Sequence, residues 1–476
     1  MIFDVAVIGA GPTGILAAHK FLESGLTVAL IESGNWVNES MLSKKNYDFY
    51  TPSKMPDGVH KLGGASNLWH GRVSRFPKNC LERTDFYGKN IWPINFEIIK
   101  KRYQELASIV GFKIIEEDNV ALDNLHSCQN CAKTVGKSLY QFIKPQFFKE
   151  LLQSFSKNPK LSLFLNTYVT TFESDPENTI ISNCKVKDSL DLKISSTNLV
   201  IAAGCLQSTA LVQRSFKDTP FKNPIGKFLM EHFDGFIGTL KIKPNQQNCL
   251  KNFKLDDSRR LPGTNFGLGI TTTSNTKLNW HLELCSFQKT YTFDPYVNRF
   301  NLPLPALKIL FLIERCIVFI PFLLLYNYYR FRKISVYSLW LKGEEQSVHT
   351  SRIEISAESK IKYKHHISSE TVKILKSELR LFSKSLNKNK LGKLKFNLHF
   401  RIPNFLSTGG NFHPMGTLRM HSTESSIVKF DGSLGNFSNI FCVDSSVFPI
   451  GAHQNPTAMA LTLTLETISK ITNKYK

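Results

Sequence analysis

Gly9, Gly11 and Gly14 stand at the spacing G-x-G-x-x-G, and Glu32 follows 18 positions after the last of them. Glycines so placed can hold a dinucleotide. The first permits a tight turn, the second lets the backbone approach a pyrophosphate, and the third lets a helix pack closely on a strand. An acidic residue beyond the next strand accepts hydrogen bonds from ribose hydroxyls. The flanking pattern supplies the elements this chemistry needs. Phe3–Ile8 reads as a buried parallel strand and Ile15–Ser24 as a helix with Leu16, Ala17 and Phe21 at helical spacing; Gly25 stops the helix and Leu26–Ile31 makes a second strand. Pro12 and Thr13 lie in the glycine turn as candidate cofactor contacts, the helix N-terminus that follows faces a diphosphate, and Glu32 and Ser33 close the second strand. A glycine-rich structural turn is the plain alternative, and the fingerprint alone does not separate FAD from NAD.

The chain has 476 residues, room for two to three domains at about 150 residues each. Lys and Arg number 60 against 38 Asp and Glu, a formal net charge of +22. That balance fits a Lys-rich solvated surface, contact with an anionic membrane, or an acidic partner. No zinc-finger, RNP or basic-zipper pattern accompanies it, so no nucleic acid is expected. The nine cysteines are odd in number and scattered, which points to a reducing compartment. Met1 and Ile2 run directly into the fingerprint strand, so no leader and a cytoplasmic location are expected. Cys128 and Cys131 form a C-x-x-C without the second pair that zinc would want; reduced thiols in a loop are the simplest reading, and no metal is expected. Leu302–Tyr329 is apolar but interrupted by Lys308, Glu314 and Arg315, and Arg330, Arg332 and Lys333 follow it. It is too broken to span a bilayer and reads as a buried cap or as an interfacial dock at the inner membrane face. The basic run Lys384–Lys395 reads as a solvated loop.

A second glycine pair lies in His60–Arg72, with Gly63, Gly64, Ser66, Asn67 and Trp69. Leu199–Gly204 is an apolar strand ending in glycine before Cys205–Leu211 opens a helix, and Gly226–His232 carries Leu229, Met230, Glu231 and His232. Glu345-Gln346 precede Ser351-Arg352-Ile353. Near the C-terminus come His413-Pro414-Met415-Gly416-Thr417, Val443–Pro449 and Asn455-Pro456-Thr457. Taken in this order, these landmarks resemble the glucose–methanol–choline (GMC) oxidoreductases, FAD enzymes that oxidise alcohols and sugars. The Ser-x-x-Trp spacing and compact length look closest to the short bacterial and pyranose-oxidase-like members.

The resemblance implies an α/β fold: a Rossmann-like FAD-binding domain with an interleaved α+β substrate domain that contains an antiparallel sheet. FAD-binding pieces are expected at 1–76, 158–235 and 405–476, and the substrate side at 77–157 and 236–404. Trp280–Phe287 and Ser335–Trp340 alternate like strands of a sheet roofing the flavin. In the family the glycine-pair loop lies against the flavin and pyrophosphate. Ala203 and Gly204 belong to its second signature, the Asp444-Ser445 segment touches the pyrophosphate, and Val169 ends a strand, Leu163–Val169, near adenine. The helix Pro456–Ile471, opened by Asn455-Pro456-Thr457, directs its N-terminus at the flavin. Where some relatives tether FAD through a histidine this chain has Leu68, so non-covalent FAD is expected. The family's base falls on His413 and its partner on Asn455. A neutral imidazole takes a hydroxyl proton near pH 7, whereas an amide orients the oxygen but is a poor base. His453 is the competitor. The implied activity is oxidation of a CH–OH group by hydride transfer to flavin N5, as a dehydrogenase more than an oxidase, with quinone or O2 as acceptor. A non-redox flavin-dependent lyase and a non-catalytic flavoprotein are the alternatives.

Overall fold

The computed structural model describes residues 2–36, 47–49, 60–69, 71–84, 91–114, 135–137, 141–174, 179–186, 192–217, 224–243, 266–272, 278, 280–286, 335–356, 360–388, 392–396, 407–408, 413–421 and 426–475. Leu302–Tyr329, Cys128 and Cys131 lie outside them.

Ile2–Ile8 and Val28–Ile31 are the two strands expected at the N-terminus, paired in parallel with Val5 opposite Val28. Their near-continuous apolar character follows from burial on both faces; all four residues of Val28–Ile31 are buried. Leu161–Phe164 extends the parallel sheet beyond Val28–Ile31, and Leu192–Ile201 and then Ile440–Cys442 extend it beyond Ile2–Ile8. The start of Leu192–Ile201 instead pairs antiparallel with Thr179–Val186, which pairs antiparallel with Thr167–Val169. The single strand expected over Leu163–Val169 is therefore two, Leu161–Phe164 and Thr167–Val169. Asn166 sits at φ 50° between them, a left-handed conformation that ends a strand and that Asn tolerates.

The fingerprint helix is Pro12–Glu23, with proline in its first turn and Gly25 at φ 80° just past its end. It buries Ile15, Leu16, Phe21 and Leu22 against helices Phe96–Val110, Phe147–Phe155 and Thr457–Thr472. Arg102 Nε donates to Glu466 at 2.8 Å across two of them.

A second, antiparallel sheet runs through Lys393–Phe396, His232–Ile242, Ser335–Glu344, Trp280–Ser286 and Phe266–Thr272. The alternation read at 280–287 and 335–340 is that of strands, the latter continuing to Glu344. Trp280, Leu282, Leu339 and Leu341 bury the outer face under Leu375, Leu379 and Phe382 of helix Ser369–Lys388. Side chains alternate along a strand, so His281, Lys342 and Glu344 lie on the other face, towards the parallel sheet. The basic run at 384–395 is not simply a loop: Lys384 and Lys388 belong to the helix, and Lys393 and Lys395 to the edge strand. Among the described residues, no helix is long and apolar enough to cross a membrane.

Candidate active site

The fingerprint glycines have distinct surroundings. A Cβ on Gly14 would lie 1.8 Å from Gly9 O, and one on Gly9, at φ 99°, would lie 2.6 Å from Ala202 O. These two close the turn and press the helix on the sheet. Around a Cβ on Gly11 there is nothing within 4 Å. Gly11 is the N-cap of the fingerprint helix, has no side-chain cap, and faces open space at that helix end. Pro12 and Thr13 follow in the first turn. The Glu32 carboxylate is buried and props the turn: it accepts from Ala10 N at 2.8 Å, Gly34 N at 2.9 Å and Ser33 Oγ at 3.1 Å.

The glycine pair is laid directly on this turn. Gly63 N donates to Ala10 O at 2.8 Å, and a Cβ on Gly64 would lie 3.0 Å from Gly11 Cα. Gly63 and Gly64 both have positive φ, 89° and 50°, which the loop needs. Ser66 Oγ donates to Gly63 O at 2.6 Å, and Asn67 Nδ2 donates to Leu62 O at 3.0 Å and Gly64 O at 2.8 Å, so both polar side chains hold the loop's own shape. Trp69 packs against Phe148 and donates to Pro145 O at 3.3 Å. Leu68 is 63% exposed.

The later motifs join the same framework. Gly204 N donates to Asp444 Oδ2 at 3.0 Å, Ser208 Oγ donates to the same oxygen, and Ser446 N donates to Asp444 Oδ1 at 2.9 Å. Ala203 N donates to Ser208 Oγ at 3.1 Å. Ser445 Oγ donates to Pro414 O at 2.8 Å, tying this segment to the residue after His413. Asn455 Nδ2 donates to Arg72 O at 3.3 Å, tying the last helix to the strand after the glycine pair. Pro456 is the N-cap and Thr457 the first residue of that helix. Val169 is buried in Thr167–Val169, and Thr167 N donates to Glu32 O at 2.9 Å.

His413 donates its backbone N–H to Glu231 Oε2 at 2.9 Å, and its Nδ1 lies 3.3 Å from His232 Nδ1 with the rings edge to face. Burial holds its imidazole well below the usual histidine range, with His232 and Lys342 adding to the effect. Burial likewise pulls His232 down to about 3, again with Lys342 contributing. His453 stacks on His281 with centroids 5.3 Å apart, and burial, His281 and His232 hold it low. Four imidazoles therefore gather under the roof sheet, mutually disfavouring charge. Behind His413, the Glu231 carboxylate also accepts from Tyr363 Oη at 3.0 Å. Glu345 Oε1 accepts from Glu231 N at 2.7 Å and pairs with His365 Nε2 at 2.6 Å. Burial pushes Glu231 up to about 7 although His365, the His413 N–H and Tyr363 oppose it.

Glu231, His232, His281, Lys342 and the Glu345–His365 pair carry no functional assignment from sequence. The alternation at 280–287 does contain a signal for His281, which must face away from buried Trp280. Among the described residues, no group of His, Cys, Asp or Glu is arranged to hold a metal ion.

The family model described as GMC oxidoreductase matches residues 357–464. A stretch of 59 residues is 41% identical to the fructose dehydrogenase large subunit of Gluconobacter japonicus, covering 10% of this chain and 11% of that one. The chain thus spans about a tenth of the length of this curated relative. The crystal structure of pyridoxine 4-oxidase from "Mesorbium loti" superposes with a TM-score of 0.57 at 13% identity, covering 98% of both chains. That likeness concerns the fold. Residues 357–464 thus match the GMC oxidoreductase family, and the chain as a whole shares the fold of that solved structure.

Proposed function

We propose that this chain is an oxidoreductase that binds FAD non-covalently and oxidises a CH–OH group of an alcohol or sugar-type small molecule. The observation carrying this reading is His413, a buried imidazole held neutral on the same hydrogen-bonded framework as the dinucleotide fingerprint. The residues fit FAD. Open space beside Gly11 at a helix N-terminus, and again beside Gly204, suits a pyrophosphate, because helix N-terminal N–H groups favour anions. Glu32 and Ser33 would meet the adenosine ribose, and Val169 the adenine. Gly63, Gly64, Ser66, Asn67 and Trp69 would form the wall along the flavin; Ala203, Asp444 and Ser445 would flank the pyrophosphate and ribityl chain. The N-terminus of Thr457–Thr472 would face the ring. When bound, FAD supplies the hydride acceptor, which no side chain can replace.

The chain's own residues do the proton chemistry. His413 takes the hydroxyl proton, and its neutrality leaves a lone pair for that task near pH 7. Asn455, anchored on Arg72 O, orients the substrate oxygen and donates to the developing alkoxide. Segments 1–76, 158–235 and 405–476 form the FAD-binding unit, and 77–157 and 236–404 the substrate side, whose sheet roofs the cleft. The electron acceptor is quinone or O2, with dehydrogenase action favoured over oxidase. A reducing, cytoplasmic setting accords with the free, buried Cys80, Cys205 and Cys442.

The test is anaerobic mixing of FAD-loaded protein with sugars and apolar alcohols side by side, following flavin absorbance. Bleaching by one class supports the reading and names the class. A protein that cannot be reconstituted with FAD, or whose flavin no CH–OH donor bleaches, refutes it.

A further inference from the structure

His413 is held from two directions by one dipeptide. The Glu231 carboxylate accepts its backbone N–H, and the His232 ring meets its ring nitrogen to nitrogen, Nδ1 to Nδ1, at 3.3 Å. The placement is a matter of register. Met230 and Met415 form an antiparallel bridge through reciprocal N–H···O bonds of 2.9 and 3.0 Å. Continuing that register sets His232 opposite His413.

Two ring nitrogens at this distance share one proton, so one donates and the other accepts. The choice decides what His413 offers at Nε2. If His413 donates from Nδ1, its Nε2 carries a lone pair. If His232 donates, His413 bears its proton on Nε2 and presents no base there. A base at His413 Nε2 requires the first arrangement, and His232 can meet it. With its proton on the buried Nε2, His232 keeps a lone pair on Nδ1, facing His413 Nδ1 at 3.3 Å.

We propose that His232 is a positioning residue that fixes the tautomer of His413, accepting its Nδ1–H so that Nε2 is the basic nitrogen. The inference rests on His413 being the base, as proposed above. In the step it serves, the substrate O–H bond breaks and an N–H bond forms at His413 Nε2. The C–H electron pair leaves with the hydride to the bound cofactor, and the imidazolium keeps donating from Nδ1 to His232. A carboxylate in this place would raise the basicity of His413; a neutral imidazole sets the tautomer without adding a charge.

Two variants and one spectrum test this. His232→Leu removes the acceptor and keeps bulk; His232→Asn keeps an acceptor oxygen close to the place of Nδ1. In FAD-loaded protein with ¹⁵N-labelled histidine, the ring signals of His413, assigned by their loss in His413→Ala, are expected to report a proton on Nδ1. His232→Leu is expected to retain FAD and slow anaerobic flavin reduction by at least ~10²-fold, the lower range for losing a tautomer-fixing partner. His232→Asn should recover at least ~10-fold of that loss. A wild-type His413 protonated on Nε2 overturns the proposal whatever the variants do. So does a His232→Leu protein as fast as wild type, or Leu and Asn variants equally slow with the His413 tautomer unchanged, which would mean packing alone. If His413→Ala reduces flavin normally, the base assignment falls, and the spectrum still judges the tautomer separately.

Discussion

Gly11→Val and Gly14→Ala separate cofactor binding from folding within one motif. Gly14 packs against its own turn, and a Cβ there would come to 1.8 Å from Gly9 O, about half of a normal contact of roughly 3.5 Å. Backbone blocks the way, so helix and strand must part. Overpacking of this kind costs roughly 1–3 kcal/mol or more, which at about 2–4 °C per kcal/mol lowers Tm by several degrees. Gly11 is different: its φ of −79° and ψ of −176° suit valine, and nothing lies within 4 Å of the new Cβ. Valine is a poorer N-cap than glycine, so the fold should lose about 1 kcal/mol or less. The side chain fills the space proposed for the pyrophosphate. Losing two charge-assisted hydrogen bonds of roughly 1.5–3 kcal/mol each weakens FAD by ~10²–10⁴-fold. Thermal unfolding of the apoproteins and flavin-fluorescence titration read the two effects independently. Wild-type FAD affinity in Gly11→Val, or a Tm loss in it equal to that of Gly14→Ala, would refute the reasoning.

His413→Ala is expected to keep FAD bound and to slow flavin reduction by at least ~10²-fold in stopped-flow, the usual scale for a general base; near-normal reduction would move the role to His453. Glu231 holds its proton more tightly when folded, up to about 7 from its ordinary 4.5, so its ionisation opposes folding as pH rises through that window. Glu231→Gln cannot ionise, and its stability relative to wild type should therefore rise across the same window by up to roughly 3 kcal/mol, read by denaturant unfolding; a flat difference would contradict the shift. Acid precipitation should leave the yellow flavin in the supernatant, because Leu68 cannot form a covalent tether; colour in the pellet would show one.

The central parallel sheet was legible because its signals are local. Unbroken apolar runs at 5–8, 28–31 and 199–201, glycines at fixed spacing and Pro12 at a helix start each act within a few residues. The break at Asn166 was not, since an apolar run gives no sign that one asparagine will turn left-handed and donate its N–H to Gly34 O. The spacing of Gly9, Gly11 and Gly14 already divides their roles, yet what surrounds each one comes partly from elsewhere, as Ala202 does for Gly9.

The surroundings of His413 were hidden for a different reason: they are set by register between segments some 180 residues apart. The Met230–Met415 bridge puts one dipeptide beside one loop, and Glu231 and His232 then serve two separate atoms of His413. Neighbouring strand residues point to opposite sides, so the pair divides naturally: Glu231 turns to Tyr363 and His365 behind the loop, and His232 turns to the imidazoles in front. A one-residue slip would exchange them, giving His413 a carboxylate partner and a more basic ring. Glu-His at 231–232 therefore carries meaning as an ordered pair, and the order is readable only once Met230 is known to face Met415.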